Sequence, residues 1–489
     1  MLIRFTVSNF MSFKDETEFN MLPAKGNGSR KLQNHVHKTG SGIEVLKTAA
    51  IYGANAAGKS NLVKALRYLK SVVFGEETLL SPASIRFRMD SAYKNKPTTF
   101  KIEYEIDGNH FDYAIEIFKG KIKQEWLYLI NSVANEKEEL LYKRENKNVT
   151  FGEYFKNSKD LSYINKYLDK ELADTQTVLN ACFGNIEDVD ILNFLYYGFA
   201  KLTIVLPHFK SPHYSHSVLT GSKSFEFAKN LLINSKTGIE DLVINEIEAS
   251  DFFSYAEEDF KKELIDELES LIESKIDNAD LSQDDYNAIK SLTENEQNDI
   301  EEIDESNLPE ITDFDDEFIP FDYNSQINIL RKRGDKYFVS FLRTKHFHSE
   351  DFFDFVEESD GTNRLFQLSP AFEQLIYEGD VVYVVDELER SMHPLLAKEL
   401  LRMYSSAETS NSQLIFTTHE SHLLDNDLLR RDEIWFTEKK DDGSTEFYPL
   451  SNFNPRGDKV LERGYLEGRY GGIPFLGDFS KLVSSEKVD

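Results

Sequence analysis

One short segment of the sequence combines residue types and a spacing that suit the binding of a phosphate chain. Residues 53–60 are Gly-Ala-Asn-Ala-Ala-Gly-Lys-Ser and match the pattern G-x-x-x-x-G-K-[ST]. In such a loop, glycines let backbone N–H groups turn towards a β-phosphate, the lysine adds a positive charge, and the serine hydroxyl ligates Mg²⁺. The predicted phosphate-binding residues are Gly53, Ala54, Asn55, Ala56, Ala57, Gly58, Lys59 and Ser60, and Ser60 is also a predicted metal ligand.

A second segment places two carboxylates at the end of an apolar run. Residues 381–387 are Val-Val-Tyr-Val-Val-Asp-Glu, which predicts a buried strand followed by Asp386 and Glu387. Beside a phosphate loop this is the Walker B arrangement, in which Asp386 holds Mg²⁺, directly or through water, and Glu387 polarises the attacking water. Taken alone, the pattern also fits a buried strand whose acidic residues cap the next helix.

A histidine follows a further apolar run. Residues 414–419 are Leu-Ile-Phe-Thr-Thr-His, and His419 lies 33 residues after Asp386. This spacing leaves room for a helix over Leu395–Tyr404 and a loop between two adjacent parallel strands. A neutral His419 is a candidate catalytic residue that hydrogen-bonds the γ-phosphate or the attacking water. The other interpretation is a strand-end histidine with a local hydrogen bond.

A polar segment precedes an amphipathic helix shortly before the Walker B strand. Residues 359–364 are Ser-Asp-Gly-Thr-Asn-Arg, a sequence that by itself fits a helix cap. A serine and a glycine at a helix N-terminus also form an anion site. We therefore predict that Ser359 and Gly361 bind the γ-phosphate of ATP held by another subunit.

These segments require strands and helices that alternate along the chain. The predicted elements are two strands and a turn over Leu2–Met21, a buried strand over Val45–Tyr52, a helix over Leu62–Phe74 and a β-meander over Thr98–Ile130 with turns at residues 107–109 and 119–121. From about residue 160 the pattern is mostly helical, and strands return after about residue 327. We predict an α/β fold with an N-terminal, β-rich lobe (1–150), an inserted, mostly helical acidic domain (151–326) and a C-terminal lobe (327–489).

The charge of the chain is concentrated in one segment. The 489 residues include 56 basic and 86 acidic side chains, a net charge of −30, which argues against coating nucleic acid through overall charge. Residues 251–317 contain 25 acidic and 4 basic side chains. This segment is either a solvated acidic face or a surface that docks a basic partner or mimics nucleic acid. A metal-dependent nuclease site among Glu301, Glu302, Asp304 and Glu305 is disfavoured, since no histidine or lysine lies among them in a nuclease-like pattern.

Cysteine usage and apolar runs indicate the compartment. Cys182 is the single cysteine, so the chain forms no internal disulfide and no cysteine-rich zinc site, which fits a reducing cytoplasm. The first residues lack the basic and long apolar regions of a signal peptide. No apolar run approaches 18 residues, so we expect no membrane helix and a cytoplasmic location.

The motifs together resemble those of ATP-binding-cassette ATPases of the chromosome-maintenance (SMC) and DNA-repair branch. The segments that carry the resemblance are NFMSF (9–13), GANAAGKSN (53–61), SDGTNR (359–364), VVYVVDELERSMHP (381–394) and TTHES (417–421). The resemblance implies an ABC-type P-loop ATPase head with ATP and Mg²⁺ as cofactors. It adds Asn61 to the nucleotide-binding residues and identifies SDGTNR as a divergent signature motif. It also implies a homodimer or higher homo-oligomer that sandwiches ATP between two heads.

Three segments are closer to the AAA15-type ATPases of the abortive-infection AbiL and RloA group, which includes ATPase subunits of two-gene, PARIS-like antiphage systems. They are residues 358–362 with the following helix, residues 389–394, and the tail Gly464–Pro474. The resemblance implies a sensor or regulatory ATPase that hydrolyses ATP, responds to a phage protein and controls a separately encoded toxic effector, such as a Toprim-like nuclease. Only 70 residues follow His419, too few for a Toprim domain, so we expect no nuclease in this chain.

Two other functions fit the same motifs. A DNA-repair or DNA-maintenance ATPase would clamp duplex DNA in a local basic groove, and its DNA binding would depend on salt. A scaffold protein would need ATP binding alone and would bind its partner without measurable hydrolysis.

Overall fold

The computed structural model describes most of the chain. The described residues are 1–24, 32–76, 85–131, 137–156, 161–183, 190–207, 219, 222–253, 258–278, 318–323, 326–334, 336–407, 411–453 and 461–473. The chain forms two compact units, of which the first comprises Met1–Phe209 and Ala371–Asp489 and the second comprises Lys210–Pro370. Within the described ranges, no helix has both the length and the apolar composition of a membrane span.

Strands occur in both units. In chain order they are β1 (Leu2–Ser8), β2 (Thr17–Asn20), β3 (Val36–Lys38), β4 (Glu44–Leu46), β5 (Thr48–Gly53), β6 (Thr98–Ile106), β7 (Asn109–Phe118), β8 (Lys121–Asn131), β9 (Lys137–Glu145), β10 (Asn148–Phe151), β11 (Leu202–Val205), β12 (Ile239–Glu248), β13 (Phe318–Tyr323), β14 (Gln326–Arg333), β15 (Lys336–His346), β16 (Phe352–Asp354), β17 (Val382–Val385), β18 (Gln413–Thr417), β19 (Ile434–Lys439) and β20 (Thr445–Pro449). Strands β12–β16 belong to the second unit and the others to the first.

The helices are fewer than the strands in the described part of the chain. They are α1 (Lys59–Phe74), α2 (Leu161–Glu171), α3 (Val178–Cys182), α4 (Asp190–Ala200), α5 (Ser222–Asn234), α6 (Ala249–Phe252), α7 (Glu258–Asn278), α8 (Asp360–Tyr377), α9 (Pro394–Ser406) and α10 (Leu461–Leu466). Helix α1 ends at Gly75, whose φ of +68° suits glycine and whose N–H bonds the carbonyls of Ser71 and Val72.

Two large sheets form the first unit. The mostly parallel sheet has the strand order β11-β17-β18-β5-β19-β20, with β20 as an antiparallel edge strand. The antiparallel sheet has the order β10-β9-β8-β7-β6-β1-β2. One apolar core joins both sheets to helix α1, and it includes Ile51 of β5, Leu66 of α1 and Phe100 of β6. The predicted α/β fold with a β-rich N-terminal lobe is therefore confirmed.

The predicted β-meander is present as β6, β7 and β8. Both of its turns have two consecutive residues with positive φ, Asp107 (+49°) with Gly108 (+80°) and Lys119 (+53°) with Gly120 (+72°). Two-residue turns of this kind match the right-handed twist of the strands that they join, which favours glycine at the second position. Both turns lie where the sequence predicts them, and each joins its two strands through a two-residue loop.

The first unit extends beyond the lobe boundary predicted at residue 150. Helices α2, α3 and α4 follow residue 160, as predicted, but helix α4 packs on the antiparallel sheet of the first unit. The ring of Phe199 meets that of Tyr113 edge to face at 5.8 Å. Gly198 lies so close to Tyr104 that an added Cβ would be 3.1 Å from the ring. Because these contacts bury the apolar face of α4, the boundary falls after Phe209.

The second unit contains a sheet where the sequence predicts mostly helices. Its antiparallel strands have the order β12-β15-β14-β13, and β16 pairs with β15. Strand β12 lacks an apolar run because few of its side chains are buried. Helix α7, which the periodicity of the acidic segment predicts, contributes Leu264 and Leu268 to a core with Phe321 and Val339. Residues 254–257 and 279–317 of the acidic segment, including Glu301, lie outside the described residues.

The tail motif covers strand β19. The rings of Tyr465 and Tyr470 stack on Phe436 with centroid distances of 5.6 and 6.1 Å and interplanar angles of 16° and 17°. The N–H of Gly472 donates to Oε1 of Glu438 at 2.6 Å. The described part of the tail thus covers side chains of β19, an interior strand of the sheet. Its last residue, Pro474, lies outside the described residues.

We expect Gly464→Ala to destabilise the first unit. A Cβ at this helical position would lie 2.7–2.9 Å from three atoms of the Tyr470 side chain. Such overpacking costs about 1–3 kcal/mol, more than the roughly 1 kcal/mol that alanine gains over glycine in a helix. Denaturant unfolding measures the loss. Leu466→Ala on the same helix is the control, because Leu466 is 61% exposed, and equal stability of both variants would contradict the steric argument.

Candidate functional site

The phosphate loop connects strand β5 to helix α1 and is backed by strands from the end of the chain. An added Cβ on Gly53 would lie 2.2 Å from Oγ1 of Thr437, and one on Gly58 would lie 2.2 Å from Oγ1 of Thr445. Gly58 also has a φ of +119°, which side chains rarely adopt. Close approach therefore requires glycine at both positions, and backbone conformation requires it at Gly58 as well. The strands behind the two glycines hold the loop in place.

Lys59 lies in the loop as a nearly buried cation. Its ammonium donates to the carbonyls of Gly53 at 2.7 Å and Ala54 at 3.2 Å, and lies 3.4 Å from Nδ1 of His419. Burial lowers the pKa of Lys59 to about 8, while the charges of Asp386, Glu389 and Glu387 act in the opposite direction. An anion that replaces these carbonyls as the partner of the ammonium would favour its charged form.

The Walker B carboxylate meets the end of the phosphate loop. Asp386 follows β17 and is 2% exposed. Its Oδ1 accepts hydrogen bonds from the hydroxyls of Ser60 at 3.1 Å and Thr417 at 2.6 Å. Thr417 in turn accepts from the N–H of Glu387 at 2.8 Å, and Glu387 has a φ of +51°. The end of β18 thus orients the carboxylate of Asp386 and fixes the backbone of Glu387.

His419 follows β18 and lies between the two other motifs. Its pKa is lowered, first by burial and then by the charge of Lys59, while Glu387 and Asp386 oppose the shift. The imidazole is therefore neutral at pH 7. Because an ammonium can only donate, the contact with Lys59 makes Nδ1 of His419 the acceptor and leaves the proton on Nε2. His419 can then donate a hydrogen bond to a phosphate oxygen.

The residues present suit Mg²⁺ when a phosphate shares its coordination. The hydroxyl of Ser60 and Oδ1 of Asp386 lie 3.1 Å apart, and oxygen ligands of this kind hold Mg²⁺ together with substrate phosphates and water. In the ranges that the structure describes, no three or more His, Cys, Asp or Glu side chains cluster as a metal site. The protein therefore offers too few ligands for an all-protein metal site here, which is the usual situation for Mg²⁺ bound with a nucleotide.

A cavity of about 700 Å³ opens over these residues. Its lining comprises Met11, Ser12, Asn55, Ala56, Ala57, Gly58, Lys59, Ser60, Asn61, Lys64, Arg86, Phe87, Arg88, Met89, Glu387, His419, Lys439 and Gly443. The structure thus brings together most of the predicted loop residues, Glu387 and His419, and Asp386 is buried against Ser60. Four additional basic side chains, of Lys64, Arg86, Arg88 and Lys439, suit an anionic ligand.

Two residues that support the site, Ser12 and Thr445, are not among the site residues predicted from the sequence. The hydroxyl of Ser12 accepts hydrogen bonds from Nδ2 of Asn61 and from Oγ1 of Thr445, both at 2.7 Å. Thr445 also contacts the carbonyl of Ala57 at 2.8 Å. Ser12 belongs to the NFMSF segment, so the motif itself was a signal. Thr445 lies in a strand without any local pattern that marks it.

Ser359 and Gly361 lie in the second unit, at the start of helix α8. The N–H of Thr362 donates to the hydroxyl of Ser359 at 3.2 Å, and the N–H of Asn363 donates to the carbonyl of Ser359 at 2.9 Å. These contacts make Ser359 a helix cap, as the local sequence indicates. Binding of a phosphate by Ser359 and Gly361 stays a prediction.

The sequence matches the model of the AAA_21 family over residues 49–161 and 215–425. That family is described as "AAA domain, putative AbiEii toxin, Type IV TA system". The two matched segments cover well over half of the chain and include the phosphate loop, the signature segment, the Walker B strand and His419. No curated protein is significantly similar to the chain in sequence.

Solved structures of SMC heads are similar to this chain at low sequence identity. The SMC head bound to the C-winged helix domain of ScpA is 12% identical, with a TM-score of 0.42, and the match covers 92% of this chain and 97% of that one. The SMC head domain from Thermotoga maritima is 11% identical, with a TM-score of 0.36, and the match covers 92% of this chain and 98% of that one. The third structure is the Pyrococcus furiosus Smc head with an extended coiled coil, bound to the C-terminal domain of ScpA. It is 14% identical, with a TM-score of 0.38, and the match covers 92% of this chain and 97% of that one.

We expect the affinity for a nucleoside triphosphate to fall as the pH rises through about 8. Below that pH Lys59 is charged in the free protein, and above it the ammonium loses its proton. Affinity should then decrease by up to about tenfold per pH unit. Titration of a fluorescent ATP analogue from pH 7 to 9.5 measures this. Lys439→Met, which changes another cavity lysine, should keep the profile, and a flat profile for the unmodified protein would contradict the role of Lys59.

Proposed function

The chain belongs to the AAA_21 family of AAA domains, and we propose that it is an ATPase of the ABC/SMC type that binds ATP with Mg²⁺ and hydrolyses it to ADP and phosphate. One observation carries this proposal. Lys59, Ser60, Glu387 and His419 line a single cavity, although up to 360 residues separate them in the sequence. A phosphate chain needs this combination of a cation, a hydroxyl, a carboxylate and a neutral histidine at one point.

In this proposal, the backbone of residues 54–60 and the ammonium of Lys59 bind the β- and γ-phosphates. Ser60 and Asp386 hold Mg²⁺, which when bound neutralises charge on the phosphate oxygens. Because Asp386 already accepts two hydrogen bonds from Ser60 and Thr417, its carboxylate is oriented before the substrate arrives. Asn61 bonds Ser12 and so ties the start of helix α1 to the turn between β1 and β2.

Glu387 and His419 act on the reacting groups. Glu387 accepts a hydrogen bond from the attacking water and orients it towards the γ-phosphate. The neutral imidazole of His419 donates from Nε2 to a γ-phosphate oxygen. Both residues line the cavity and follow neighbouring parallel strands, β17 and β18. Their separation from Lys59 is therefore set by the sheet and not by a mobile loop.

We expect Glu387→Gln to abolish ATP turnover while ATP still binds. The amide keeps the size of the side chain but removes the charge that polarises water, so kcat should fall by at least about 10²-fold with little change in nucleotide affinity. Phosphate release and nucleotide binding measure the two quantities. Glu399→Gln, which changes an exposed carboxylate on helix α9, is the control. Unchanged turnover of Glu387→Gln would overturn the catalytic role proposed for Glu387.

ATP also joins two copies of the chain in the proposed mechanism. Ser359 and Gly361 of one copy bind the γ-phosphate held by Lys59 of the other, so that ATP stabilises the dimer and hydrolysis releases it. The position of Ser359 and Gly361 at the start of helix α8 supports this, because helix N-termini favour anions. A phosphate bound there would replace the bond from the N–H of Thr362 to the hydroxyl of Ser359. Light scattering of Glu387→Gln with and without ATP tests the proposal. An unchanged molecular mass would contradict it, and Ser359→Arg should keep binding and lose the dimer.

The biological role proposed is regulation of a toxic effector in an antiphage or toxin–antitoxin system. The family description, which names a toxin and a Type IV TA system, supports this context. In this proposal the effector is a nuclease on a separate polypeptide, and a phage protein is the trigger. Co-expression with the neighbouring gene tests this: toxicity that depends on Lys59 and Glu387 supports the role, and a neighbouring DNA-repair operon contradicts it. Salt-dependent duplex binding would instead favour a DNA-maintenance ATPase.

A further inference from the structure

Glu389 is a carboxylate next to the site that the proposed chemistry does not use. It lies in the turn that follows Glu387, and its Oε1 accepts a hydrogen bond from the backbone N–H of His419 at 2.7 Å. Oε2 is buried and has no hydrogen-bond partner among the described residues. Burial is also the main cause of the raised pKa of Glu389. A buried carboxyl is costly, so a role in holding His419 would explain why this residue type stands here.

The hydrogen bond between Glu389 and His419 lies just beyond the last hydrogen bond that pairs β18 with β5. Thr417 pairs with Ile51 of β5, and the N–H of Thr418 still donates to the carbonyl of Ile51 at 3.0 Å. The backbone N–H of the next residue, His419, donates to the side chain of Glu389 and not to β5. The first residue beyond the sheet is thus the one whose imidazole enters the cavity, and it is held from the Walker B turn.

The Walker B turn is itself fixed to the same strand end. The N–H of Leu388 donates to the carbonyl of Thr417 at 3.1 Å, and the N–H of Glu387 donates to the hydroxyl of Thr417 at 2.8 Å. Together with Glu389, these bonds join three successive residues of the turn to residues 417 and 419. A displacement of the turn would therefore move His419 with it.

We propose that Glu389 is a positioning residue that holds His419 at its place in the nucleotide cavity and couples it to the turn that carries Glu387. This inference rests on the ATPase activity proposed above. The hydrogen bond of Glu389 goes to the backbone of His419, and its charge also acts on Lys59. We assign its effect on turnover to the hydrogen bond, which acts indirectly by holding His419. A displacement of about 1 Å in a catalytic group can lower a rate by roughly 10²-fold, which is the size of effect that loss of this hydrogen bond can have.

Two variants separate the hydrogen bond from the charge. Glu389→Gln keeps an acceptor at Oε1 and should retain turnover within about threefold, whereas Glu389→Leu removes the acceptor and should lower kcat by roughly 10- to 100-fold with little change in ATP affinity. Glu399→Leu changes an exposed glutamate on α9 and serves as the matched control. Equal turnover of Glu389→Leu and the unmodified protein, or equal losses in both Glu389 variants, would overturn the proposal.

A second measurement does not need turnover. The pKa of His419 is followed by NMR of the histidine Cε1–H signals in the nucleotide-free protein, with His419→Gln used to assign its signal among the 11 histidines. Lys59, Glu387 and Asp386 face the imidazole, and its burial lowers the pKa. In Glu389→Leu the imidazole should move away and its pKa should rise towards the ordinary value of about 6.5, while in Glu389→Gln it should stay low.

The two readouts distinguish this proposal from the proposed function. If the unmodified protein hydrolyses no ATP but Glu389→Leu raises the pKa of His419, the ATPase proposal fails and the positioning role stands. If ATP is hydrolysed and neither the pKa nor kcat responds to Glu389→Leu, the positioning role fails alone. Denaturant unfolding of each variant confirms that it is folded, and a variant that loses stability without a change in the His419 pKa counts against positioning.

Discussion

In the parallel sheet of the first unit, Phe416 of β18 lies opposite Val385 of β17 on one side and Ala50 of β5 on the other. Because the three strands are parallel and in this register, they end at the same edge of the sheet. The phosphate loop, Asp386 and His419 follow these three ends. Every distance within the site depends on this pairing, since a shift of one residue in β18 would exchange the faces of all its side chains.

The burial of charge is the second determinant of the site. Lys59 and Asp386 are both withdrawn from water, at 5% and 2% exposure. Each is compensated by polar contacts, the cation by two carbonyl groups and the anion by two hydroxyl groups. A phosphate that enters such a site meets groups that are already desolvated and oriented, so little reorganisation accompanies its binding.

The loop that binds phosphate is shaped by segments from distant parts of the chain. Thr437 and Thr445 lie against Gly53 and Gly58, and Ser12 bonds both Asn61 and Thr445. The tail then stacks Tyr465 on β19, the strand that carries Thr437. The tail and the phosphate loop therefore contact neighbouring residues of the same strand, Phe436 and Thr437 of β19.

The local elements of this protein follow from patterns within short stretches of its sequence. Each of these elements is specified by residues within about 20 positions of one another, through helical or strand periodicity or through turn glycines. They are the phosphate loop, helix α1, the two tight hairpins and the apolar strands β17 and β18. Contacts between distant segments, by contrast, are visible only in the folded chain. Three such contacts have no periodic sequence pattern that would mark them. They are the contact of Thr445 with the phosphate loop, the hydrogen bond of Glu389 to the backbone of His419, and the stacking of the tail rings on Phe436. Their roles follow from how strands pack, and a single sequence does not encode that packing as a local signal.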